Sequence, residues 1–184
     1  ARKNNIYKSE VMLIYNKKLS VVPLTTHIKI KDISKNIKKN LIITKIKTVQ
    51  KYFKKYFKKN PRIAVLGLNP HNFELKRNSE EINIIKPAIN ILKRKIKVSG
   101  PFPSDTIFFK DNLRKFDVVV GMYHDQVLGP IKTLFGFDAI NITLGLPYIR
   151  MSPDHGVAED KKKLNISSPQ SLNRCIEMMS KLTK

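Results

Sequence analysis

Cysteine, tryptophan and long apolar runs are almost absent from this chain. Its 184 residues include no tryptophan and one cysteine, Cys175, so neither a disulfide nor a cysteine-based metal cluster can form within the chain. No apolar run approaches the roughly 20 residues that a membrane-spanning helix needs, and the charged N-terminal residues lead into no signal-type apolar region. The sequence therefore predicts a cytoplasmic protein without a membrane segment.

Acidic residues are also scarce, with 14 Asp and Glu against 36 Lys and Arg, which gives a formal net charge of +22. Such a charge attracts polyanions, and nucleic acid is the first partner to consider. The excess, however, is nearly all lysine, is spread along the chain, and accompanies abundant Ile and Asn, a pattern that A/T-rich codons produce by themselves. Arginine, which phosphate and base contacts favour, is sparse. The composition therefore disfavours a nucleic-acid partner.

One stretch departs from this basic background. Between residues 116 and 149, Lys132 is the only lysine or arginine. The stretch carries polar and ionisable side chains of several types at predicted strand ends and turns, among them Tyr123, His124, Asp125, Gln126 and Asn141. Mixed polar groups in such positions are typical of a small-molecule site. We interpret the stretch as the heart of an enzyme active site.

Strand and helix patterns alternate along the chain, whose length suits a single domain. Strands are predicted at residues 11–15, 19–24, 62–68, 97–99, 116–121 and 138–144. Helices are predicted at residues 41–57, 80–96 and 171–182, the second interrupted by Pro87. The chain is expected to break at Gly129 and Pro130, and Arg150 is expected in a loop. This order predicts an α/β fold with a largely parallel sheet.

The four histidines share one kind of position, because each follows a predicted strand or lies in the loop beyond one. They are His27, His71, His124 and His155. Ligands bind at the carboxyl ends of strands in open α/β sheets, so the four can converge there. Neutral imidazoles bind Zn, Co, Ni or Fe, and nearby aspartates can add oxygen ligands. No pair has the i, i+4 spacing of a helical metal site, and a purely structural role stays open for each histidine.

A second group combines a cation, an amide and a guanidinium at the ends of adjacent elements: Lys132, Asn141 and Arg150. These groups suit a phosphate or carboxylate, which Arg can bind through two parallel hydrogen bonds. The spacing equally allows a solvated Lys132 and an Asn141 that caps a turn. Neither a GxGxxG dinucleotide fingerprint nor a GxxxxGK[ST] phosphate loop is present.

Six short motifs together resemble one enzyme family. They are LTTH at 24–27, GLNPH at 67–71, GPFPSDT at 100–106, MYHDQ at 122–126, NITLGLPYIR at 141–150 and DHG at 154–156. In this order they resemble the 4-hydroxythreonine-4-phosphate dehydrogenase (PdxA) family, from about residue 11 to the C-terminus. The resemblance implies an isocitrate and isopropylmalate dehydrogenase-like three-layer sandwich with a mixed sheet. It also implies that residues 1–184 are a single, N-terminally incomplete unit corresponding to the C-terminal portion of such an enzyme.

The resemblance assigns a divalent metal, Zn, Mg or Co, to three of the histidines. In this family the ligands come from the TTH, NPH and YHDQ motifs across a homodimer interface, and here they correspond to His27, His71 and His124. Asp105 and Asp125 match acidic residues near that metal.

The remaining matches concern the substrate and the NAD cofactor. Lys132, Asn141 and Arg150 correspond to phosphosubstrate contacts, and Lys132 is a candidate for assisting proton transfer. His155 and Gly156 precede the cofactor loop. The implied reaction, in pyridoxal phosphate biosynthesis, oxidises 4-phosphohydroxy-L-threonine with NAD to a 3-oxo acid. That acid decarboxylates to 3-amino-2-oxopropyl phosphate.

The chain departs from the family pattern in two loops. After NPH, residues 72–77 replace a glycine-rich stretch, and after DHG a glycine-containing cofactor loop has become residues 159–163, Glu-Asp-Lys-Lys-Lys. The family's His-Thr substrate pair, which lies before this part of the fold, has no counterpart here. The alternatives to a dehydrogenase are therefore a non-catalytic metal-binding remnant and a basic nucleic-acid-binding protein.

Overall fold

The computed structural model describes residues 9–154, apart from the side chains of 73–75, and residues 168–182. These residues form a seven-stranded sheet with helices on both faces. The strands are β1 (Val11–Tyr15), β2 (Ser20–Pro23), β3 (Ile63–Leu66), β4 (Val98–Phe102), β5 (Val118–Gly121), β6 (Ile140–Leu144) and β7 (Arg150–Pro153). The α-helices are α1 (Ile33–Asn36), α2 (Lys39–Phe57), α3 (Lys86–Leu92), α4 (Lys110–Leu113), α5 (His124–Phe135) and α6 (Gln170–Leu182).

The sheet is mixed, with strand order β4-β3-β5-β2-β1-β6-β7. Strands β4, β3, β5 and β2 are mutually parallel. β1 is antiparallel to both β2 and β6, and β7 is antiparallel to β6. Since β6 thus runs with the first four, five of the seven described strands point the same way, which confirms the predicted mixed, largely parallel sheet.

Alternation of buried side chains along the strands produces the three layers. Val22 and Val120 join one buried cluster with Ile46 of α2. Val21 and Val119, the preceding residues, join a second cluster with Ile131 of α5 on the opposite face. Successive strand residues point to opposite faces, and burying each of these side chains stabilises the fold by about 1.5–3 kcal/mol. The predicted three-layer α/β sandwich is therefore confirmed.

Helix α2 shows why the sequence pattern locates a helix well. Ile42, Ile46, Val49 and Phe53 recur at helical spacing and are all buried, so one stripe packs on the sheet while most of its lysines face solvent. The helix ends at Phe57, and the next residue, Lys58, closes it with a left-handed φ of 53°. It is long, but no helix in the described part of the chain is both long and apolar enough to cross a membrane.

The expected break at Gly129 and Pro130 is wrong, because α5 runs through both residues. Val127, Leu128 and Ile131 are buried against the sheet, and this burial outweighs the local preference of proline against helix. The Thr133 hydroxyl donates a hydrogen bond at 3.0 Å to the Gly129 carbonyl, one turn earlier in the same helix.

Two further predictions are revised. Arg150 lies in strand β7 rather than in a loop, paired with Thr143 of β6; β7 is short and partly exposed, so it lacks the apolar alternation that marks a strand.

The helix predicted at 80–96 is interrupted, as expected, but by a π-helical turn at Glu81–Ile85. Pro87 then lies in the first turn of α3, a position at which helices tolerate proline.

Candidate active site

Three parallel strands bring three of the histidine loops to one edge of the sheet. β2, β3 and β5 are neighbours, and their carboxyl ends lead into the loops that carry His27, His71 and His124 respectively. This is the edge at which open α/β sheets bind ligands. The fold therefore creates a candidate site where the motifs predicted one.

His27 and His124 lie next to each other at this edge. Their ring centroids are 5.5 Å apart. His124 is the first residue of α5, and its Nδ1 lies 2.7 Å from Oδ1 of Asp125. A carboxylate beside one ring nitrogen orients an imidazole and leaves the other nitrogen available to a metal. The pair is thus suited to contribute two ligands to one metal ion, with Asp125 in the predicted supporting position.

His71 belongs to a different pair. It lies in the 3-10 turn Pro70–Leu75 with a left-handed φ of 49°, and its Nδ1 is 3.7 Å from Oδ2 of Asp105. Both side chains face solvent, at 76% and 52% exposure. No group of three or more His, Cys, Asp or Glu that could hold a metal is present within residues 9–154 and 168–182. The described chain therefore fits part of a metal site but does not gather the three predicted histidines.

Hydrogen bonds that the sequence did not predict tie the three loops together. The Thr25 hydroxyl donates to the Met122 carbonyl at 2.8 Å, linking the His27 and His124 loops. Buried Gln126 accepts from the Met122 N–H at 2.7 Å and donates to the Gly67 carbonyl at 2.8 Å, linking the His124 and His71 loops. Thr25 and Gln126 both belong to the quoted motifs, which was the only sequence signal for their roles.

A pair of consecutive carboxylates fixes the His71 loop from its other side. Glu80 accepts hydrogen bonds from the Ser34 hydroxyl and from the Asn69 side chain, and these bonds lower its pKa despite partial burial. Glu81, which is fully buried, accepts from Asn69 and Leu68. Burial alone would raise the pKa of Glu81, but the hydrogen bonds from Asn69 and Leu68 lower it. Both carboxylates therefore remain ionised at neutral pH.

The three predicted substrate-binding residues share one face of the sheet. Asn141 and Thr143 of β6 pair with Ser152 and Arg150 of β7, and directly paired residues point to the same face. Asn141 also pairs with Ile14 of β1, whose side chain packs in the cluster beneath α5. This is the face that α5, and with it Lys132, covers.

Within this group two charged side chains have partners. Nζ of Lys132 lies 3.4 Å from Oδ1 of Asp154, and Nη1 of exposed Arg150 donates to the Thr143 hydroxyl at 2.8 Å. Oδ1 of Asn141 and Oδ2 of Asp154 are buried without a hydrogen-bond partner among the described residues. Buried acceptors of this kind normally have a donor, so they are suited to a ligand that carries one.

Asp154 is a further functional candidate that sequence reasoning missed, although it begins the DHG motif. Its backbone N–H donates to the Ser171 hydroxyl at 2.8 Å, and that hydroxyl bonds the Ala139 carbonyl, so α6 holds Asp154 beside β6. The cofactor candidates His155 and Gly156 lie outside the described residues.

Comparisons with known proteins agree with these motifs. The family model described as pyridoxal phosphate biosynthetic protein PdxA matches residues 2–179. The 4-hydroxythreonine-4-phosphate dehydrogenase of Bradyrhizobium diazoefficiens is 40% identical over 185 residues, covering 99% of this chain and 54% of the relative. A D-threonate 4-phosphate dehydrogenase of Pectobacterium atrosepticum is 38% identical, covering 93% and 53% respectively.

The fold agrees as well. The crystal structure of the Klebsiella pneumoniae 4-hydroxythreonine-4-phosphate dehydrogenase superposes with a TM-score of 0.80 at 36% identity, covering 96% of this chain and 55% of that one. The chain spans about half the length of the curated relatives it matches. With nearly all of its residues matched by the family model, the chain belongs to the PdxA family of pyridoxal phosphate biosynthetic proteins.

Proposed function

We propose that these residues form part of the active site of a 4-phosphohydroxy-L-threonine dehydrogenase that uses NAD and a divalent metal, Zn, Mg or Co. The product is a 3-oxo acid that decarboxylates to 3-amino-2-oxopropyl phosphate, in pyridoxal phosphate biosynthesis. Family membership and the names of relatives near 40% identity support the substrate class and the dehydrogenase chemistry. We take the 184 residues as a single unit corresponding to the C-terminal portion of those relatives, and the activity as that of the whole enzyme.

The observation that carries this proposal is the placement of two complementary groups along helix α5. His124 begins the helix beside His27, and Lys132 lies eight residues further on, about 12 Å along the helix axis at 1.5 Å per residue. Long helical side chains lean back toward the helix N-terminus, so the Lys132 ammonium can approach the phosphate of a substrate whose secondary hydroxyl lies near the imidazoles. Lys132, Asn141 and Arg150 are on the face that receives it.

Lys132, Arg150, Asn141 and Asp154 then bind the charged groups of the substrate. Lys132 and Arg150 bind the phosphate, with the exposed guanidinium of Arg150 offering two parallel donors. The unpartnered acceptors on Asn141 and Asp154 suit the substrate's ammonium group, because it carries the donors that they lack. Lys132 also assists proton transfer, which requires its ammonium to leave Asp154.

The histidines at the start of α5 orient the reacting carbon. His27 and His124 hold the metal, and Asp125 fixes the His124 ring. When bound, a divalent metal lowers the pKa of a coordinated hydroxyl and stabilises negative charge on its oxygen. NAD accepts the hydride, and we assign its binding to the segment that begins at His155 and Gly156.

A homodimer completes the metal site. His71 and Asp105 face solvent, and no group of three metal ligands gathers within the described residues of one subunit, so we assign this pair to the metal of the partner subunit. Exposed apolar side chains follow both pairs in the chain: Ile30, three residues after His27, is 80% exposed, and Phe109, four residues after Asp105, is 62% exposed. Apolar side chains left at the surface beside polar site residues suit an interface between subunits. On the sequence grounds given above, this dimer is assigned to the cytoplasm.

The test measures NAD reduction with 4-phosphohydroxythreonine and added Zn²⁺, Mg²⁺ or Co²⁺. It uses this chain alone and in combination with the region that corresponds to the unmatched half of its relatives. D-threonate 4-phosphate is the comparison substrate. Turnover of the amino-acid substrate with metal is expected in the combination. Turnover of D-threonate 4-phosphate but not of 4-phosphohydroxythreonine would show that the proposed substrate is wrong. No turnover of either compound, together with unchanged metal affinity in His124→Ala, would contradict the proposal.

A further inference from the structure

The backbone on either side of His71 is anchored, although the His71 side chain is exposed. Asn69 is held by Glu80 and Glu81, as described above. Asn72, on the other side, is 6% exposed, and its side-chain amide donates to the Pro101 carbonyl at 3.1 Å. The Asn72 N–H also bonds the Asn69 carbonyl at 3.0 Å, which closes the turn around His71. The exposed imidazole therefore stands on a fixed backbone.

Glu81 contributes most to the anchor on the Asn69 side. A single oxygen, Oε1, accepts the backbone N–H groups of Leu68 and Asn69 at 2.8 and 2.9 Å. The second oxygen, Oε2, accepts from the Asn69 side chain at 3.1 Å. Hydrogen bonds to an ionised acceptor are stronger than those between neutral groups. The carboxylate thus fixes the two residues that lead directly into Pro70 and His71.

The left-handed conformation of the turn explains why an anchor is needed. His71 and Asn72 have φ values of 49° and 56°, in the left-handed region that is unfavourable for a residue with a Cβ atom. Without a partner at Asn69, the turn can relax toward ordinary backbone conformations, and the imidazole then moves with it. The burial of Glu81 in the π-helical turn Glu81–Ile85 gives the anchor a rigid base.

We propose that Glu81 is a positioning residue that holds the GLNPH loop so that His71 presents its imidazole in the geometry required for metal binding. This rests on the metal role proposed for His71. Glu81 has no contact with substrate or metal in this account, and it acts only through Leu68 and Asn69. In the sequence, Glu81 is distinguished only as the second of two adjacent glutamates, ten residues after His71.

The test is a Zn²⁺ titration of the 184-residue chain and five variants, with amide hydrogen exchange measured on the same samples. Glu81→Asp keeps the charge but shortens the side chain, and we expect it to weaken Zn²⁺ binding about 10- to 100-fold, as the loss of partners of metal ligands does. Faster exchange of the Leu68 and Asn69 amides should accompany it. Glu81→Gln keeps one acceptor oxygen for the Leu68 and Asn69 N–H groups and should therefore retain more Zn²⁺ affinity than Glu81→Asp. Ile85→Val, in the same buried turn, should change neither quantity.

Unchanged Zn²⁺ affinity in Glu81→Asp, beside a large loss in His71→Ala, would overturn the positioning role while leaving the metal site in place. Unchanged affinity in both variants would instead contradict the metal role of His71. Asn69→Ala removes the side-chain anchor to both glutamates and provides a second variant if Glu81→Asp does not fold. It must weaken Zn²⁺ binding for the proposal to stand.

Discussion

Nζ of Lys132 lies 3.4 Å from Oδ1 of Asp154. The ammonium group proposed to bind the substrate phosphate therefore already has an anionic partner. The Asp154 side chain is 8% exposed and that of Lys132 is 39% exposed. Asp154 therefore depends more on the contact than Lys132 does, because the more buried charge has less access to water. Substrate binding must exchange this partner for the phosphate.

Replacing Lys132 should separate binding from stability. Lys132→Met removes the cation and leaves Asp154 buried without its ion pair. We expect weaker binding of inorganic phosphate by about tenfold or more and a loss of about 1–3 kcal/mol in the free energy of unfolding. The double variant Lys132→Met/Asp154→Asn should recover stability but not phosphate binding. Isothermal titration and thermal unfolding measure the two effects, and phosphate binding that survives in Lys132→Met would exclude the residue from the phosphate site.

A pH effect is predicted at the opposite end of the strands, where Asp117 joins the residues preceding β3 and β5. Burial alone would raise the pKa of Asp117, but hydrogen bonds from Arg62 and Lys59 lower it from 3.8 to about 2. Because the pKa of Asp117 is lowered in the folded protein, the ionised carboxylate adds about 1–2 kcal/mol to the free energy of unfolding. This contribution is fully present above about pH 4 and is lost as the pH falls toward 2. Asp117→Asn should flatten the acid unfolding curve in this window. Asp111→Asn, at an exposed position on α4, should not.

The proposed dimer depends on apolar residues near the site loops. Ile30→Lys and Phe109→Lys should each shift the chain toward the monomer, because a charge is costly to bury in an apolar interface. Both side chains are exposed in the single subunit, so the thermal stability of the monomer should change little. Analytical ultracentrifugation measures the shift. Ile176→Lys on α6, at the same 62% exposure as Phe109, serves as the control, and dimerisation lost equally in that variant would place the interface elsewhere.

Local patterns predicted most of the fold. The buried valines of β5 and the helical spacing of Ile42, Ile46 and Val49 are visible in the sequence because each pattern involves residues a few positions apart. The helix through Pro130 was not predictable in this way, since burial of α5 against the sheet decides it. Strand β7 was missed because its pairing with β6, rather than its own residues, makes it a strand.

The site was predictable to the level of motifs but not of grouping. Motif order placed His27 and His124 at strand exits, and the structure brings these two together. Which aspartate accompanies which histidine, the separation of His71 from the other two, and the pairing of Lys132 with Asp154 all depend on contacts between distant parts of the chain. No local pattern carries that information. The roles of Gln126 and Glu81 were missed for the same reason.

The proposed metal site joins His27 and His124 of one subunit to His71 of its partner. Mixing equal amounts of His71→Ala and His124→Ala chains tests it directly by Zn²⁺ titration. Each variant alone should lack high-affinity binding. After subunit exchange, half of the dimers contain one chain of each kind and one complete site, so about a quarter of the wild-type number of high-affinity sites should return. High-affinity binding by either variant alone, or none in the mixture despite confirmed heterodimers, would contradict the shared site.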